Sequence, residues 1–529
     1  MIIPRVKKET VLEGRFEKKL SFAGDVQDAS FACLFLQMLL PKADLDQMAD
    51  PSVFLEKKEM EHPEGYELKV TQEKVCISYQ TRLGLRNAVA TLAQLYHAGT
   101  IGCTQIWDAP DEKMTKIRSG MLDLARGFVE IPALKEDLLQ MAALKYNFVH
   151  FHLMDSVHYV IDSKVIPVPE EEKVYTMEEM KDIVDYCTFL GLEIIPEFEI
   201  PAHARNMIRL MPQLACTNAP DDWVVCVGKE TTFEIYEKII EELCELFPGR
   251  YLHMGGDELY FHDLTPPRFC GWLTCPDCQR RMKKEGLTTE AELFYYMVRR
   301  LNDKVRSLGK TMILWSDQLD VTKPVDLPRN IVMEFWRIAG EGRGPHEGCT
   351  FQKQLDLGFE IFNAQYQYTY TESNEYMQAE PLRTWTPDTE FGTEVKLKGN
   401  LAGGECCSWE LGNPKYAYYG KMLAPCLALF ADRMWNPGSA AAYDETYRTA
   451  MARAEMGDLT EDLDLYGAFP DLIPSRTLET PDTELARMDK NIVAKAVCLL
   501  EKADRDALYG KTVYDATLTV LKDAEGKLK

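Results

Sequence analysis

The stretch YLHMGGDELYF, residues 251–261, joins a short apolar run to two glycines and then to two adjacent acids. Glycine weakens a strand, and neighbouring carboxylates repel each other. Both features fit the carboxyl end of a buried strand, where the glycines let the backbone turn and both acids can reach one cavity. Two acids in a low-dielectric cavity do not ionise equally well. One pKa rises, and a proton donor becomes available near neutral pH.

Seven further strand-like segments share this rhythm. They are GMLDLA from 120, NFVHFHL from 147, LEIIPEFEI from 192, TMILWSD from 311, IVMEFW from 331, FEIFNAQ from 359 and LAGGECCSW from 401. Amphipathic helical segments lie between them. In TFEIYEKIIEELCELF, Phe233, Tyr236, Ile239, Ile240, Leu243 and Phe247 recur at helical spacing and make one apolar face. Eight strands alternating with helices over roughly 320 residues predict an α/β fold, a (β/α)8 TIM barrel. An open doubly wound sheet is the competing architecture, but GMLDLARGF is not the glycine-rich phosphate loop that such a sheet usually carries after its first strand.

The chain of 529 residues exceeds one compact core. Residues 1–112 mix short strand-like and helix-like runs and are expected to form a small α+β domain. Residues 113–438 are expected to hold the barrel and 439–529 a helical C-terminal region. A formal net charge of −24 argues against nucleic acid or an anionic membrane as partner. The opening MIIPRVKKETVLEG has no apolar leader core, and the 15 cysteines are scattered through apparent core segments. Both point to a cytoplasmic protein with reduced thiols.

In a barrel, catalytic groups gather at the C-terminal strand ends. Those ends carry His150, His152 and Asp155, then Glu197, Glu199 and His203, then Asp257 and Glu258. Trp315, Asp317, Trp336, a tyrosine cluster (Tyr366, Tyr368, Tyr370) and Trp409 complete the rim. Acids beside tryptophans suit a carbohydrate: aromatic faces cover the C–H face of a sugar ring, while carboxylates bond its hydroxyls and move protons.

The motif HMGGDE at 253–258 resembles the His-x-Gly-Gly-Asp-Glu signature of glycoside hydrolase family 20, the β-N-acetylhexosaminidases. RSGMLDLARGF, HFHLMD, PEFEIPAHA and GGECCSWE resemble other segments of that family in the same order, and the likeness spans roughly residues 60–435. The resemblance implies retaining hydrolysis in which the substrate's own 2-acetamido oxygen is the nucleophile. Glu258 would be the general acid and later the base, and Asp257 would hold the acetamide N–H. Arg118, Asp155, His203, Trp315, Trp336, Tyr368, Trp409 and Glu410 would bind substrate, with Glu199 and His152 supporting, and Glu199 with His203 would match the Asp/His pair that supports the catalytic acids. Tyr366 and Tyr370 remain rivals to Tyr368 for the acetamide oxygen. The partner implied is a glycan ending in N-acetylglucosamine or N-acetylgalactosamine, and no cofactor or metal is implied in the chemistry. Departures are SVHYV after Asp155, Leu411 where a sugar-binding acid is common, and Glu199 where an aspartate is usual. The first two concern sugar-hydroxyl recognition rather than the chemical step.

Two other readings stand beside this one. His150 and His152 share one face of a strand, as in metal-dependent amidohydrolase-type barrels. An inactive carbohydrate-binding relative is the other. Separately, Cys270, Cys275 and Cys278 with His262 upstream could contribute to a structural zinc site, since Cys-x-x-Cys supplies half of one.

Overall fold

The computed structural model describes residues 1–41, 43, 45, 50–111, 116–218, 222–259, 271–321, 324–337, 349–370, 382–383, 385–390, 392–409, 420–437, 443–446, 449 and 522. The C-terminal region expected to be helical therefore lies almost wholly outside the described residues.

Eight parallel strands close into a barrel: β1 (Ile117–Asp123), β2 (Phe148–His152), β3 (Glu193–Glu197), β4 (Tyr251–His253), β5 (Thr311–Trp315), β6 (Val332–Phe335), β7 (Glu360–Asn363) and β8 (Leu401–Ser408). Each pairs with its sequence neighbours, and β8 closes on β1 with Gly403 opposite Ile117 and Ser408 opposite Leu122. The helices between them are set by local chemistry. Thr176 and Glu179 form a capping box at the start of Met177–Leu190, and Gly191, at φ +69°, ends that helix. Helix Glu230–Leu246 buries the expected face, Phe233, Tyr236, Ile239, Ile240 and Leu243.

Inward-facing residues repeat every second position and stack in layers. The floor is apolar: Ile117, Phe148, Ile195, Ile313, Val332, Phe362 and Ala402. Two residues further along the strands the interior becomes charged, with His150, Glu197, His253, Glu334 and Glu405 all fully buried. At the C-terminal end an aromatic cluster contains Trp315, Tyr370 and Trp409, with Trp336 and Tyr366 packed against it.

Ahead of the barrel lies a mixed sheet in the order Lys8–Phe16, Thr100–Asp108, Tyr66–Val70, Val75–Tyr79, Val53–Lys57 and Phe22–Ala23. Helix Arg82–Leu95 is buried at every position from Gly84 to Ala93, because it lies between this sheet and the barrel. Its Arg86 donates to the carbonyls of Leu190 (3.0 Å) and Gly191 (3.2 Å). Lys145 meets Asp108 at 2.7 Å, both fully buried, and Arg118 pairs with Glu64. These contacts fix the small domain against the N-terminal end of the barrel.

Candidate active site

The end of β4 turns as its glycines allow. Gly255 sits at φ +56° and Gly256 at φ +100°, and Glu258 also adopts a left-handed φ of +52°. A Cβ on Gly255 would lie 1.8 Å from Glu199 Oε2, so the backbone there passes against a second carboxyl. Strain at a non-glycine residue needs neighbours that hold it, and Glu258 has them. Its amide donates to Asp317 Oδ2 (3.2 Å), and its carbonyl accepts from Trp223 Nε1 (2.9 Å). Its carboxylate lies 3.2 Å from the Arg337 guanidinium and 3.6 Å from His203 Nε2. Asp257 approaches the same His203 nitrogen at 3.4 Å, while its other oxygen, Oδ1, is buried with no hydrogen-bond partner among the described residues.

Behind this pair runs a charged relay. Asp155 Oδ2 lies 3.0 Å from His203 Nδ1, 3.2 Å from His152 Nε2 and 2.7 Å from Arg126. Burial would raise the Asp155 pKa, but Arg126 and His203 outweigh it and hold the carboxylate well below its usual range. His203 is raised well above an ordinary histidine: burial opposes its charge, and Asp155 with Asp257 overcomes that. Glu199 is pushed well above the carboxylate range by burial, then by Asp257 and Glu197, and so holds its proton. Asp317 is pushed up to about 6, chiefly by burial and against the pull of Arg337. Near Asp257, then, Asp155 is held charged while Glu199 is held protonated.

One layer deeper, Glu197 accepts from two donors and faces two further histidine nitrogens, of which His253 Nδ1 itself accepts the Gly255 amide. His152 Nδ1 bonds it, Trp315 Nε1 donates at 2.6 Å, His253 Nδ1 lies at 3.0 Å and His150 Nε2 at 3.2 Å. His150 also meets Glu405 at 2.7 Å. Burial opposes protonation of His150 and His152, yet the carboxylates raise them to about 9 and about 10. The two histidines do share a strand face, as their spacing implied. Their ring nitrogens, however, are engaged with carboxylates inside a closed barrel rather than turned to an open coordination position.

The aromatic wall adjoins the relay. The Arg126 guanidinium lies 4.9 Å over the Trp409 ring, and Tyr370 is 5.7 Å from Trp409 and stacked on Trp336 at 6.2 Å. Trp336 also carries Arg337 on its face at 4.0 Å. Nε1 of both Trp336 and Trp409 is buried without a hydrogen-bond partner among the described residues. One set of contacts therefore runs from Trp336 through Tyr370, Trp409, Arg126, Asp155 and His203 to Asp257 and Glu258.

Three expectations are corrected. Arg118 sits near the start of β1, at the opposite end from the rim, where it bonds Lys145 O (3.0 Å) and Glu64 and stacks on Trp435. The arginine at the rim is Arg126, eight positions on. Tyr368 faces away from the wall, with its hydroxyl near Gly392. Residues Tyr366–Thr369 form a single helical turn, so Tyr366 and Tyr370 share the face toward Trp336 and Tyr368 points elsewhere. The carboxylate partner of His203 is Asp155, not Glu199.

Trp315, Trp336, Trp409, Asp155, His152, His203 and Glu199 do converge around Asp257 and Glu258. Glu410, His262 and Cys270 lie outside the described residues, while Cys275 and Cys278 are buried. Sequence reading missed Trp223, Arg126 and Arg337. Arg126 had a signal, since it lies three residues beyond the end of β1, where rim residues belong. Trp223 and Arg337 had none beyond their loops.

A parallel barrel with carboxylates, histidines and indoles gathered at the C-terminal strand ends carries its polar groups where barrel enzymes place their active sites. The model of the glycosyl hydrolase family 20 catalytic domain matches residues 116–438, and that of the family's domain 2 matches residues 2–109. The chain belongs to glycosyl hydrolase family 20.

It is 30% identical over 287 residues to a beta-hexosaminidase of Porphyromonas gingivalis, covering 49% of this chain and 36% of the relative. A beta-hexosaminidase of Vibrio furnissii is 26% identical over 414 residues, covering 68% and 64%. The matched region thus spans less than two thirds of either relative. Among solved structures, the beta-N-acetylhexosaminidase of Bacteroides fragilis superposes with a TM-score of 0.71 at 24% identity, over 86% of this chain and 95% of that one. That likeness is one of fold.

Proposed function

We propose that this chain is a retaining exo-β-N-acetylhexosaminidase that removes terminal N-acetylglucosamine or N-acetylgalactosamine from oligosaccharides or glycoconjugates. The carrying observation is the β4 turn: Asp257 Oδ1, buried and without a hydrogen-bond partner among the described residues, lies beside the partly exposed carboxyl of Glu258. An unpaired buried acceptor costs free energy unless something bonds it. The acetamide N–H of a bound sugar is the donor this reading supplies. Relatives with matching sequence carry the name beta-hexosaminidase, which supports the same substrate class.

In the proposed reaction Asp257 accepts the acetamide N–H and orients the group. The acetamide oxygen attacks C1 as the bond to the glycosidic oxygen breaks, and Glu258 donates a proton to that leaving oxygen. The bicyclic oxazolinium ion carries positive charge beside Asp257, held in place by His203 and Asp155. Water then adds to C1 from the vacated face, with Glu258, now a carboxylate, taking its proton. Trp315, Trp336 and Trp409 enclose the sugar, and Tyr366 or Tyr370 donates to the acetamide oxygen. A reducing compartment such as the cytoplasm is the proposed location, because none of the described cysteines is paired in a disulfide.

The test is release of p-nitrophenol from the β-N-acetylglucosaminide and β-N-acetylgalactosaminide, with the plain β-glucoside as control. Turnover of at least one acetamido substrate, none of the glucoside, and inhibition by the matching thiazoline are expected. Absence of turnover by the wild type on both acetamido substrates would overturn the reading.

A further inference from the structure

Four cysteines from separate parts of the chain meet beside the loop that supports the catalytic turn. Cys216 and Cys226 lie in the connection after β3, while Cys275 caps helix Pro276–Glu285 and Cys278 lies in its first turn. All four are buried, and their sulfurs lie within 4.8 Å of one another. Three separations fall in a narrow range: 3.6 Å for Cys226–Cys275, 3.7 Å for Cys226–Cys278 and 3.9 Å for Cys216–Cys278.

Disulfides need sulfurs about 2.05 Å apart, and Cys226 stands at nearly equal distance from two partners, so no pairing is selected. A tetrahedral metal with metal–sulfur bonds of about 2.3 Å puts its thiolates about 3.8 Å apart. The observed separations match that value. A polynuclear iron–sulfur core placed between four thiolates would spread them further. Elsewhere, Cys187 shows how an ordinary buried cysteine sits in this protein, raised by burial alone with no second sulfur or charge acting on it.

The surroundings are built to hold the quartet. A Cβ on Gly228 would lie 2.2 Å from the backbone of Asp277 and Cys278, so the strand of chain beyond Cys226 presses directly on the helix start. Cys226 donates its amide to Leu214 O (2.7 Å), and Trp272 Nε1 donates to Val225 O (2.9 Å). Three residues before Cys226, Trp223 donates to the Glu258 carbonyl and packs its ring 4.5 Å from that of His203.

We propose that Cys216, Cys226, Cys275 and Cys278 bind one structural zinc ion as four thiolates, clamping the segment that carries Trp223 against helix Pro276–Glu285 behind the catalytic carboxyls. Binding releases one proton from each thiol, and the metal undergoes no redox change. The site is closed, with no position left for water or substrate, so zinc holds the geometry and takes no part in bond cleavage. Half of it was visible as Cys275-x-x-Cys278. The other half comes from residues about 50 and 60 positions upstream, a spacing outside the usual zinc-finger range.

The experiment is elemental analysis of the full chain, expressed without an affinity tag that binds metal and dialysed against metal-free buffer. Stoichiometric zinc, released by a mercurial reagent and captured by a colorimetric chelator, is expected. Cys278→Ser should lose that zinc and melt at lower temperature, whereas Cys187→Ala should retain it. If Cys278→Ser does not accumulate, mercurial titration of the wild type decides alone. Purified wild type without zinc, with iron in its place, or with the four cysteines paired as disulfides by intact mass would overturn the proposal.

Discussion

Glu197 is the most heavily engaged buried charge in the barrel, and Glu197→Gln tests what it contributes. The substitution keeps size and shape but replaces a carboxylate that accepts from His152 and Trp315, with His150 and His253 beside it, by one carbonyl and one NH2 group. The carbonyl can keep the 2.6 Å bond from Trp315, leaving the NH2 group facing the histidines His150 and His152, which the native carboxylate holds in their charged form. Removing one partner of a buried charge set costs about 3–5 kcal/mol. In a chain of this size that is a fall in melting temperature of roughly 3–5 °C.

The pH dependence gives the prediction its second edge. His150 and His152 titrate at about 9 and about 10 in the fold against 6.5 unfolded. Their contribution is present in full below pH 6.5 and is lost as pH rises through 9 to 10. Glu197 is held below its ordinary 4.5, so its contribution is present above that value and fades as pH falls through the lower folded one. Urea unfolding at pH 7 and again above pH 10 should show a wild-type advantage that shrinks at the higher pH. A difference under about 1 kcal/mol at pH 7, or one independent of pH, would refute the reasoning.

Five further substitutions probe the rim. Gly255→Ala drives a methyl into Glu199 and should cut kcat by about tenfold or more while circular dichroism stays native; unchanged kcat would show that the contact is slack. Arg337→Gln removes a cation 3.2 Å from the Glu258 carboxyl and should move the alkaline limb of kcat/KM upward by about a pH unit, a shift absent if the guanidinium swings away when substrate binds. Tyr370→Phe or Tyr366→Phe should lower kcat about a hundredfold and Tyr368→Phe hardly at all; the reverse order would restore Tyr368 to the site.

The sequence located all eight barrel strands because each combines a short apolar run with polar residues at one end, and every observed strand falls within or beside its expected segment. What it located less well depended on facing. Arg118 lies inside the first barrel strand near its start and Arg126 three residues past its end, so choosing between them depended on where the strand ends. Tyr368 lost its place to a single helical turn that no periodicity announces over four residues. Glu199 and Asp155 both lie near His203, and the choice between them rests on side-chain reach rather than on spacing. The charged middle layer was legible as residues but not as a network, since Glu197 gathers partners from three other strands. Long-range convergence also hid Cys216 and Cys226, whose separation from Cys275 exceeds any local motif.

The central claim is the division of labour between Asp257 and Glu258, and its most direct measurement is the leaving-group dependence of kcat/KM in two variants. Across aryl β-N-acetylglucosaminides of rising phenol pKa, Glu258→Gln should lose little with the most acidic phenol and progressively more with poorer leaving groups, because only those need a proton. Asp257→Asn should slow the whole series by a similar factor, because every member depends on the acetamide. Parallel slopes in the two variants would contradict the assignment of one carboxyl to the leaving oxygen and its neighbour to the acetamide.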